Sequence, residues 1–290
     1  PDAGGDDCQP DHFPHRTQGI ALATRDEMKV AAEAPRILLD NVSISYATPR
    51  GRLPVVDRVS LAVDRAEFVV LVGPSGCGKS TILRAIAGLH AAESGIISVD
   101  GKMVDGPPEH IGFMFQRDTL LPWLTVHGNI EVGLELAGVA SAQRASRLTD
   151  LLALLQLSEF RDAYPAQLSG GMRHRVSLGR MLAYQPAVML MDEPFGALDF
   201  QTKAVMGREL LRIWETERRS ILFVTHDIEE AVALADRVLV FSPRPARTIA
   251  EHRIDLPRPR HLRTLRASPE FAAYTSAIWQ ALGDGDPAMA

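Results

Sequence analysis

A glycine-rich loop between an apolar run and a helix-forming segment constrains this chain more than any other feature. Residues 67–72 are typical of a buried strand, and residues 80–87 predict a helix. Between them the sequence reads GPSGCGKST, which fits the pattern G-x-x-x-x-G-K-[ST] in full. Such glycines let backbone N–H groups converge on phosphate oxygens, and the helix N-terminus adds partial positive charge. The residues expected to bind a nucleotide here are Gly73, Pro74, Ser75, Gly76, Cys77, Gly78, Lys79, Ser80 and Thr81.

Two residues of this loop have defined chemical tasks. Lys79 would reach the β and γ phosphates, and the Ser80 hydroxyl would bind Mg²⁺. Two rival motifs fail at the same place. A hydrolase elbow G-x-S-x-G needs glycine where Cys77 stands, and a dinucleotide fingerprint needs glycine or alanine where Thr81 stands.

Two acids and a histidine follow later apolar runs. Asp192 and Glu193 end the run that begins at residue 187, and His226 directly follows the run 221–225. If these runs are strands of one parallel sheet, all three side chains lie at its carboxyl edge, where such folds bind ligands. Asp192 fits an acid that supports the metal, and Glu193 fits a general base acting on the attacking water. His226 would hydrogen-bond the γ phosphate and the water.

The alternation of apolar runs with helical segments predicts an α/β fold with a parallel sheet covered on both faces. The segment between Gln116 and Leu168 is different, because it is rich in Leu, Ala and Glu at helical spacing. It predicts an inserted helical subdomain.

Composition excludes several classes. The formal net charge of −5 argues against a general nucleic-acid binder. The two cysteines, Cys8 and Cys77, suggest a reducing compartment rather than a disulfide framework. No apolar run approaches the ~20 residues needed to cross a bilayer, and the N-terminal residues do not resemble a secretory signal.

The segment LSGGMRHR from Leu168 to Arg175, followed by a helical stretch, resembles the signature of ABC-type ATPases. The whole motif order matches that family: glycine-rich loop, Gln116, signature, Asp192 and Glu193, the segment 197–199, and His226. The resemblance implies a P-loop NTPase core with a mainly parallel sheet, an N-terminal antiparallel β subdomain and an inserted α-helical signature subdomain. It also implies ATP and Mg²⁺ as cofactors.

The resemblance assigns further roles. Ser169, Gly170 and Gly171 would close over the γ phosphate held by a partner subunit, and Asp199 would communicate across the dimer. Gln116 would join Ser80 and Asp192 at Mg²⁺ and sense a membrane subunit. Tyr46, 27 residues before Gly73, resembles the aromatic residue that stacks on adenine. Two departures are Met172 for the usual glutamine of the signature and Ala66 for a common glycine.

A narrower resemblance is carried by FQRDTLLPWLTVHGNI, MDEPFGALD and FSPRPARTIAEHRIDLPRPR, which are similar to the nitrate, sulfonate and taurine importer ATPases. It implies a peripheral subunit on the cytoplasmic face of the bacterial inner membrane. Its partners would be a second nucleotide-binding subunit, as a homodimer, and transmembrane permease subunits. The subunit would act only indirectly with a periplasmic or extracellular solute-binding protein, and it would not bind nucleic acid.

The expected domain organisation has three parts. Residues 1–35 read as a disordered leader, residues 36–256 as the nucleotide-binding domain with its helical subdomain at about 117–184, and residues 257–290 as an extension with a short helix. Seven arginines between residues 242 and 266 predict a solvated segment. The sequence Ser268-Pro269-Glu270 predicts a helix start.

Two alternatives belong to other functional classes. A soluble ABC-type ATPase acting on nucleic acid or ribosomes would carry a long coiled coil or a second cassette, and the sequence has neither pattern. A small-molecule phosphotransferase would share the glycine-rich loop, but not the signature or the acid pair.

Overall fold

Two β-sheets and a set of helices make up the computed structural model, which describes residues 34–49, 51–196, 198–260 and 262–284. The strands are β1 (Ile37–Thr48), β2 (Gly51–Val63), β3 (Phe68–Val72), β4 (Ser94–Val99), β5 (Lys102–Met103), β6 (Ile111–Met114), β7 (Val188–Asp192), β8 (Ser220–Val224), β9 (Arg237–Phe241) and β10 (Thr248–Arg253). The helices are α1 (Lys79–Ile86), α2 (Val126–Leu136), α3 (Ser141–Leu154), α4 (Gly170–Tyr184), α5 (Phe200–Glu217), α6 (Ile228–Leu234), α7 (Leu262–Leu265) and α8 (Pro269–Asp284). Short 3₁₀ turns lie at Ser158–Phe160 and Pro165–Gln167.

The larger sheet has six strands in the order β10-β9-β3-β8-β7-β6, and only β10 runs antiparallel to its neighbour. Every residue of β3, β7 and β8 is buried. Successive side chains of β3 enter different cores: Phe68 and Val70 pack with the helices, and Val69 and Leu71 pack toward β1, β2 and α1. Such strands need cover on both faces, as the sequence predicts.

The smaller sheet is antiparallel, with the order β2-β1-β4-β5. Its buried side chains, among them Leu39, Ile44 and Val56, share one core with α1 and the underside of the larger sheet. The predicted α/β class, with a mainly parallel sheet, an N-terminal antiparallel β portion and inserted helices, is confirmed.

The inserted helices are held by unusually close contacts. A Cβ atom on Gly133 of α2 would lie 2.2 Å from the Arg180 carbonyl oxygen of α4, and one on Gly179 would lie 2.6 Å from Leu155. The buried Asn129 side chain bonds the backbone of Leu121 in both directions, at 2.8 and 3.1 Å. The block therefore has a fixed shape, with α4 at its centre.

The arginine-rich segment corrects one expectation from the sequence. Arg258 stacks on Trp214 at 4.2 Å and donates to Asp236 at 2.8 Å. Arg260 is only 5% exposed, and its guanidinium donates to the carbonyls of Val232, Ala233, Ala235, Ile254 and Leu256. The prediction of a solvated segment is therefore wrong for these two arginines, because carbonyls at the end of α6 and just after β10 need buried donors.

The α8 helix begins at Pro269, where the sequence predicts a start, and it buries Phe271 and Ile278 against the main core. None of the helices in the described ranges is long and apolar enough to cross a membrane. The expected leader lies almost wholly outside the described residues, and the three domain boundaries remain predictions.

Arg260→Ala should destabilise the protein by about 2–4 kcal/mol, because several buried carbonyls lose their donor at once. The matched control is Arg253→Ala, since Arg253 has a side chain that is 81% exposed. The control should stay within about 0.5 kcal/mol of wild type in urea unfolding. Equal stability of the two variants would contradict this account of the C-terminal segment.

Candidate nucleotide-binding site

Three adjacent strands, β3, β8 and β7, deliver the predicted site residues to one edge of the sheet. The glycine-rich loop follows β3, His226 comes two residues after β8, and Asp192 and Glu193 lie at the end of β7. Backbone bonds join these ends, from Thr225 N to Leu71 O at 3.2 Å and from Glu193 N to Val224 O at 3.0 Å. The carboxyl edge of the parallel strands is thus a shared platform.

The glycine-rich loop wraps closely around the start of α1. Gly76 and Gly78 have φ values of +74° and +130°, which side chains rarely tolerate. Lys79 is buried, and its ammonium group donates to the carbonyls of Gly73 and Pro74 at 2.7 and 2.9 Å. The lysine is therefore already aimed into the loop, where a phosphate would bind.

Ser80 and Asp192 meet directly, with Ser80 Oγ donating to Asp192 Oδ1 at 2.8 Å. Burial raises the pKa of Asp192, while the bond from Ser80 opposes that rise. A hydroxyl and a carboxylate are hard oxygen ligands that suit Mg²⁺ shared with nucleotide phosphates. Within the described ranges, no group of three or more His, Cys, Asp or Glu side chains could hold a metal ion.

The Glu193 carboxylate contacts two side chains, those of Gln116 and His226. Its Oε2 accepts from Gln116 Nε2 at 3.1 Å and lies 3.4 Å from His226 Nδ1. The Glu193 backbone has φ +46°, in the left-handed region that costs a non-glycine residue free energy. Strain of this kind persists where the surroundings fix it, here the bond to β8 and the turn that brings Gly196 N to the Glu193 carbonyl at 3.0 Å.

The signature residues form the start of α4. Ser169 caps the helix by accepting from Met172 N at 3.3 Å, and Gly170 and Gly171 form its first turn. Within the described ranges, no hydrogen bond joins these three residues to the glycine-rich loop of their own chain. Gly170 and Gly171 are half-buried and Ser169 is exposed, so their N–H groups are accessible to a ligand from outside.

A family model described as ABC transporter matches residues 56–196. An uncharacterised ABC transporter ATP-binding protein of Methanocaldococcus jannaschii is 44% identical over 260 residues, which cover 90% of this chain and 94% of that protein. A taurine import ATP-binding protein of Rhizobium johnstonii is 45% identical over 245 residues, which cover 83% of this chain and 94% of that protein. This chain belongs to the ABC transporter family of ATP-binding proteins.

Solved structures agree with that assignment. The dimeric structure of a bacterial ABC transporter cassette is 30% identical, with a TM-score of 0.68, and the match covers 76% of this chain and all of that one. A post-hydrolysis state of the same cassette, bound to ADP and Pi, matches with 29% identity and a TM-score of 0.68. The chain is an ABC-type ATPase, and these relatives give no support to a nucleic-acid or ribosomal role.

Asp199 and Tyr46 are two further residues that the sequence assigned to the site. Asp199 caps α5 and accepts from Thr202 Oγ1 at 2.6 Å, and this bond lowers the pKa of the exposed Asp199 carboxyl. Ala197, two residues earlier, lies outside the described residues. Tyr46 is half-buried, with its hydroxyl 3.2 Å from Thr81 Oγ1. It therefore lies beside the helix that follows the glycine-rich loop.

The structure adds two histidines that the sequence reasoning missed. The ring of His90 lies 4.7 Å from that of Tyr46, so the aromatic position has a second ring behind it. The buried His174 places its two ring nitrogens 3.2 Å from the carbonyls of Gln116 and Gly170. His174 stands inside the LSGGMRHR segment, but a lone histidine on a helix gives no signal of such a bridge.

If Tyr46 stacks on adenine, Tyr46→Ala should weaken ATP binding by about 1–3 kcal/mol, the usual range for a base on an aromatic ring. Tyr46→Phe keeps the ring and should bind ATP almost normally. Calorimetric titration of the purified variants measures this, and Tyr164→Ala, at a 48% exposed tyrosine, is the control. Unchanged affinity in a folded Tyr46→Ala protein would make the ring a packing element only.

Proposed function

We propose that two copies of this chain bind Mg-ATP between them and hydrolyse it to drive a membrane permease. The observation that carries this proposal is a pair of contacts at one edge of the sheet. Ser80 contacts Asp192, and Glu193 contacts both Gln116 and His226. Attack of water on a γ phosphate requires ligands for the metal ion, here Ser80 and Asp192, beside a general base, here Glu193.

In this proposal the loop and the first acid hold the nucleotide. Lys79 exchanges its two carbonyl partners for β and γ phosphate oxygens, which as charged acceptors make stronger bonds. Ser80, Asp192 and Gln116 hold Mg²⁺, which when bound neutralises phosphate charge. Tyr46 stacks on the base.

Glu193 takes the proton of the attacking water, and His226 holds the water and the γ phosphate. The two partners of Glu193 Oε2 keep this carboxylate from rotating away. Gln116 reaches it from the loop after β6, and His226 reaches it from the turn after β8. A base fixed in this way needs no reorganisation when the water arrives.

The signature and Asp199 act on the other subunit's nucleotide. Within the described residues, neither helix start makes a hydrogen bond to the glycine-rich loop of its own chain, and a related cassette has been solved as a dimer. Ser169, Gly170 and Gly171 supply N–H groups and the positive end of α4 to the opposite γ phosphate, which closes the dimer only while ATP is intact.

Glu193→Gln should bind Mg-ATP, hydrolyse it at least ~100-fold more slowly, and accumulate as a dimer. The amide keeps the shape and can accept from Gln116, but it cannot take a proton. Size-exclusion chromatography with light scattering, with and without ATP, measures the assembly. Glu217→Gln, at the far end of α5, is the control and should behave as wild type. A strict monomer with ATP would rule out the two-chain mechanism.

Mixing two inactive variants tests the shared site more sharply. Ser169→Arg fills the signature cradle, and Lys79→Ala disables the glycine-rich loop. In the mixed dimer one composite site carries both lesions and the other carries neither, so ATPase activity should return. If every mixture stays inactive while Glu193→Gln dimerises with ATP, the two sites must act together rather than separately.

The permease is expected to dock beside the helical block. A cleft of about 380 Å³ is lined by β6, the segment after it and α4. Leu136, which lines the cleft, is 71% exposed, and Trp123, in the segment before α2, is 69% exposed. Leu120 and Leu121 of the same segment are half-buried, and Leu121 N donates to the buried Asn129 side chain. A cleft with an exposed leucine at its rim suits one amphipathic helix of a permease.

Photo-crosslinkers placed at positions 119 and 136, which line the cleft, and at the exposed Trp123 should capture the permease in native membranes. Position 102 on β5, also exposed, is the control and should capture none. Capture from position 102 alone would place the permease elsewhere.

The names of the relatives support a proposal for the transported solute. Several are named taurine import ATP-binding proteins, so we propose a sulfonate or a related small anion as the solute. A solute-binding protein outside the membrane would deliver it. The cassette would then work as a peripheral subunit on the cytoplasmic face of the cell membrane. Uptake of labelled taurine by cells with and without this chain tests that choice.

A further inference from the structure

Two contacts on different parts of its side chain hold Tyr46, the residue proposed to stack on adenine. Its hydroxyl lies 3.2 Å from Thr81 Oγ1, and the centre of its ring lies 4.7 Å from the centre of the His90 ring. The two ring planes are tilted by 40°, and their separation is that of a favourable aromatic pair. The proposed function gives a task to Tyr46 and Thr81, but it gives none to His90.

The hydroxyl contact alone cannot fix the plane of the Tyr46 ring. The hydroxyl oxygen lies on the axis that runs through Cβ and the ring, so rotation about the Cβ–Cγ bond turns the ring without moving this oxygen. The side chain itself restricts that rotation weakly. A base stacks well on a ring whose plane suits it, so a neighbour that touches the ring must set this plane. His90 is such a neighbour.

The backbone on both sides of His90 is fastened to α1 and to β1. Before it, Leu89 N donates to the Arg84 carbonyl of α1 at 2.9 Å. After it, Glu93 N donates to the Ser43 carbonyl of β1 at 2.8 Å, only three residues before the tyrosine. His90 is therefore held at a fixed place beside the tyrosine ring.

The turn that leads to His90 is also tightly packed. Gly88 has φ +68°, and a Cβ atom on it would lie 2.0 Å from the Gly106 carbonyl oxygen. On the other side of His90, Glu93 forms an ion pair with Arg52 of β2, the strand that pairs with β1. These contacts leave the backbone of the turn little freedom to move away from the tyrosine.

The His90 side chain contributes its ring rather than its polar atoms. It is half-buried, and within the described residues neither of its ring nitrogens has a hydrogen-bond partner. The contact with Tyr46 is thus the specific interaction that distinguishes an aromatic ring at position 90 from a small side chain.

We propose that His90 is a positioning residue for the nucleotide base, which sets the plane of the Tyr46 ring on which adenine stacks. This inference rests on the proposed function, because it requires the base to lie on Tyr46. A ring that is already oriented loses less conformational freedom when the nucleotide binds. The inference predicts weaker nucleotide binding and normal turnover at saturating ATP, because Glu193 and His226 follow other strands, β7 and β8.

The test compares His90→Ala and His90→Phe with wild type in calorimetric titrations with Mg-ADP, which carries the base and is not hydrolysed. His90→Ala should weaken ADP binding roughly threefold to tenfold, the factor that corresponds to one aromatic pair. His90→Phe restores a ring and should bind ADP within about twofold of wild type. In ATPase assays, His90→Ala should raise KM for ATP and keep kcat within about twofold of wild type. Leu89→Ala, at the neighbouring side chain that is 51% exposed, is the control and should match wild type.

Double variants show whether His90 acts through the Tyr46 ring. If it does, His90→Ala should cause no further loss of ADP affinity in the Tyr46→Ala protein, and its full loss in the Tyr46→Phe protein, which keeps the ring. A further loss in the Tyr46→Ala protein would mean that His90 contacts the nucleotide itself or supports the loop, and it would overturn the inference.

Unchanged ADP affinity in His90→Ala, a lowered kcat, or no rescue by phenylalanine would also overturn it. Should His90→Ala fail to fold, His90→Asn, which likewise lacks an aromatic ring, decides the question. If Tyr46→Ala itself binds ADP normally, the base does not lie on Tyr46. That outcome refutes the stacking in the proposed function and this inference with it, whereas weak binding by Tyr46→Ala and normal binding by His90→Ala refute this inference alone.

Discussion

Parallel pairing of β3, β8 and β7 is the constraint on which the site depends. The three strands are buried on both faces, so their register is fixed by packing, and a shift of one residue would turn every side chain into the wrong core. Because they end at one level, Ser80 and Asp192, separated by 112 positions in sequence, meet at 2.8 Å. The same register brings Glu193 within 3.4 Å of His226.

The antiparallel sheet is also part of this site. A Cβ atom on Gly78 would lie 2.8 Å from the Val55 carbonyl of β2, and one on Gly73 would lie 2.9 Å from the Phe241 carbonyl of β9. The glycine-rich loop is thus enclosed between the two sheets, and its glycines allow this close packing. Since β1 carries Tyr46, the sheet that encloses the loop also presents an aromatic ring beside α1.

Sequence predicted the parts of the fold that depend on local pattern. The apolar runs, the glycine-rich loop and the acids after β7 each have a short-range signature, and the structure brings them together. The sequence could not predict the burial of Arg260, because the carbonyls that need this arginine lie at the end of α6 and just after β10 and meet only in the folded chain. The left-handed backbone conformation of Glu193 could not be predicted either, because the hydrogen bond to Val224 that fixes it is a tertiary contact.

The contacts of Gln116 connect Glu193, the proposed general base, to the helix α4 that begins at the signature residues. Its side chain donates to Glu193, and its carbonyl faces one ring nitrogen of His174, whose other nitrogen faces the Gly170 carbonyl. His174 therefore bridges the loop after β6 and the first turn of α4. A displacement of the loop would change the surroundings of Glu193 and of Gly170 together. It would thus couple the residues proposed to act on a chain's own nucleotide to those proposed to act on its partner's.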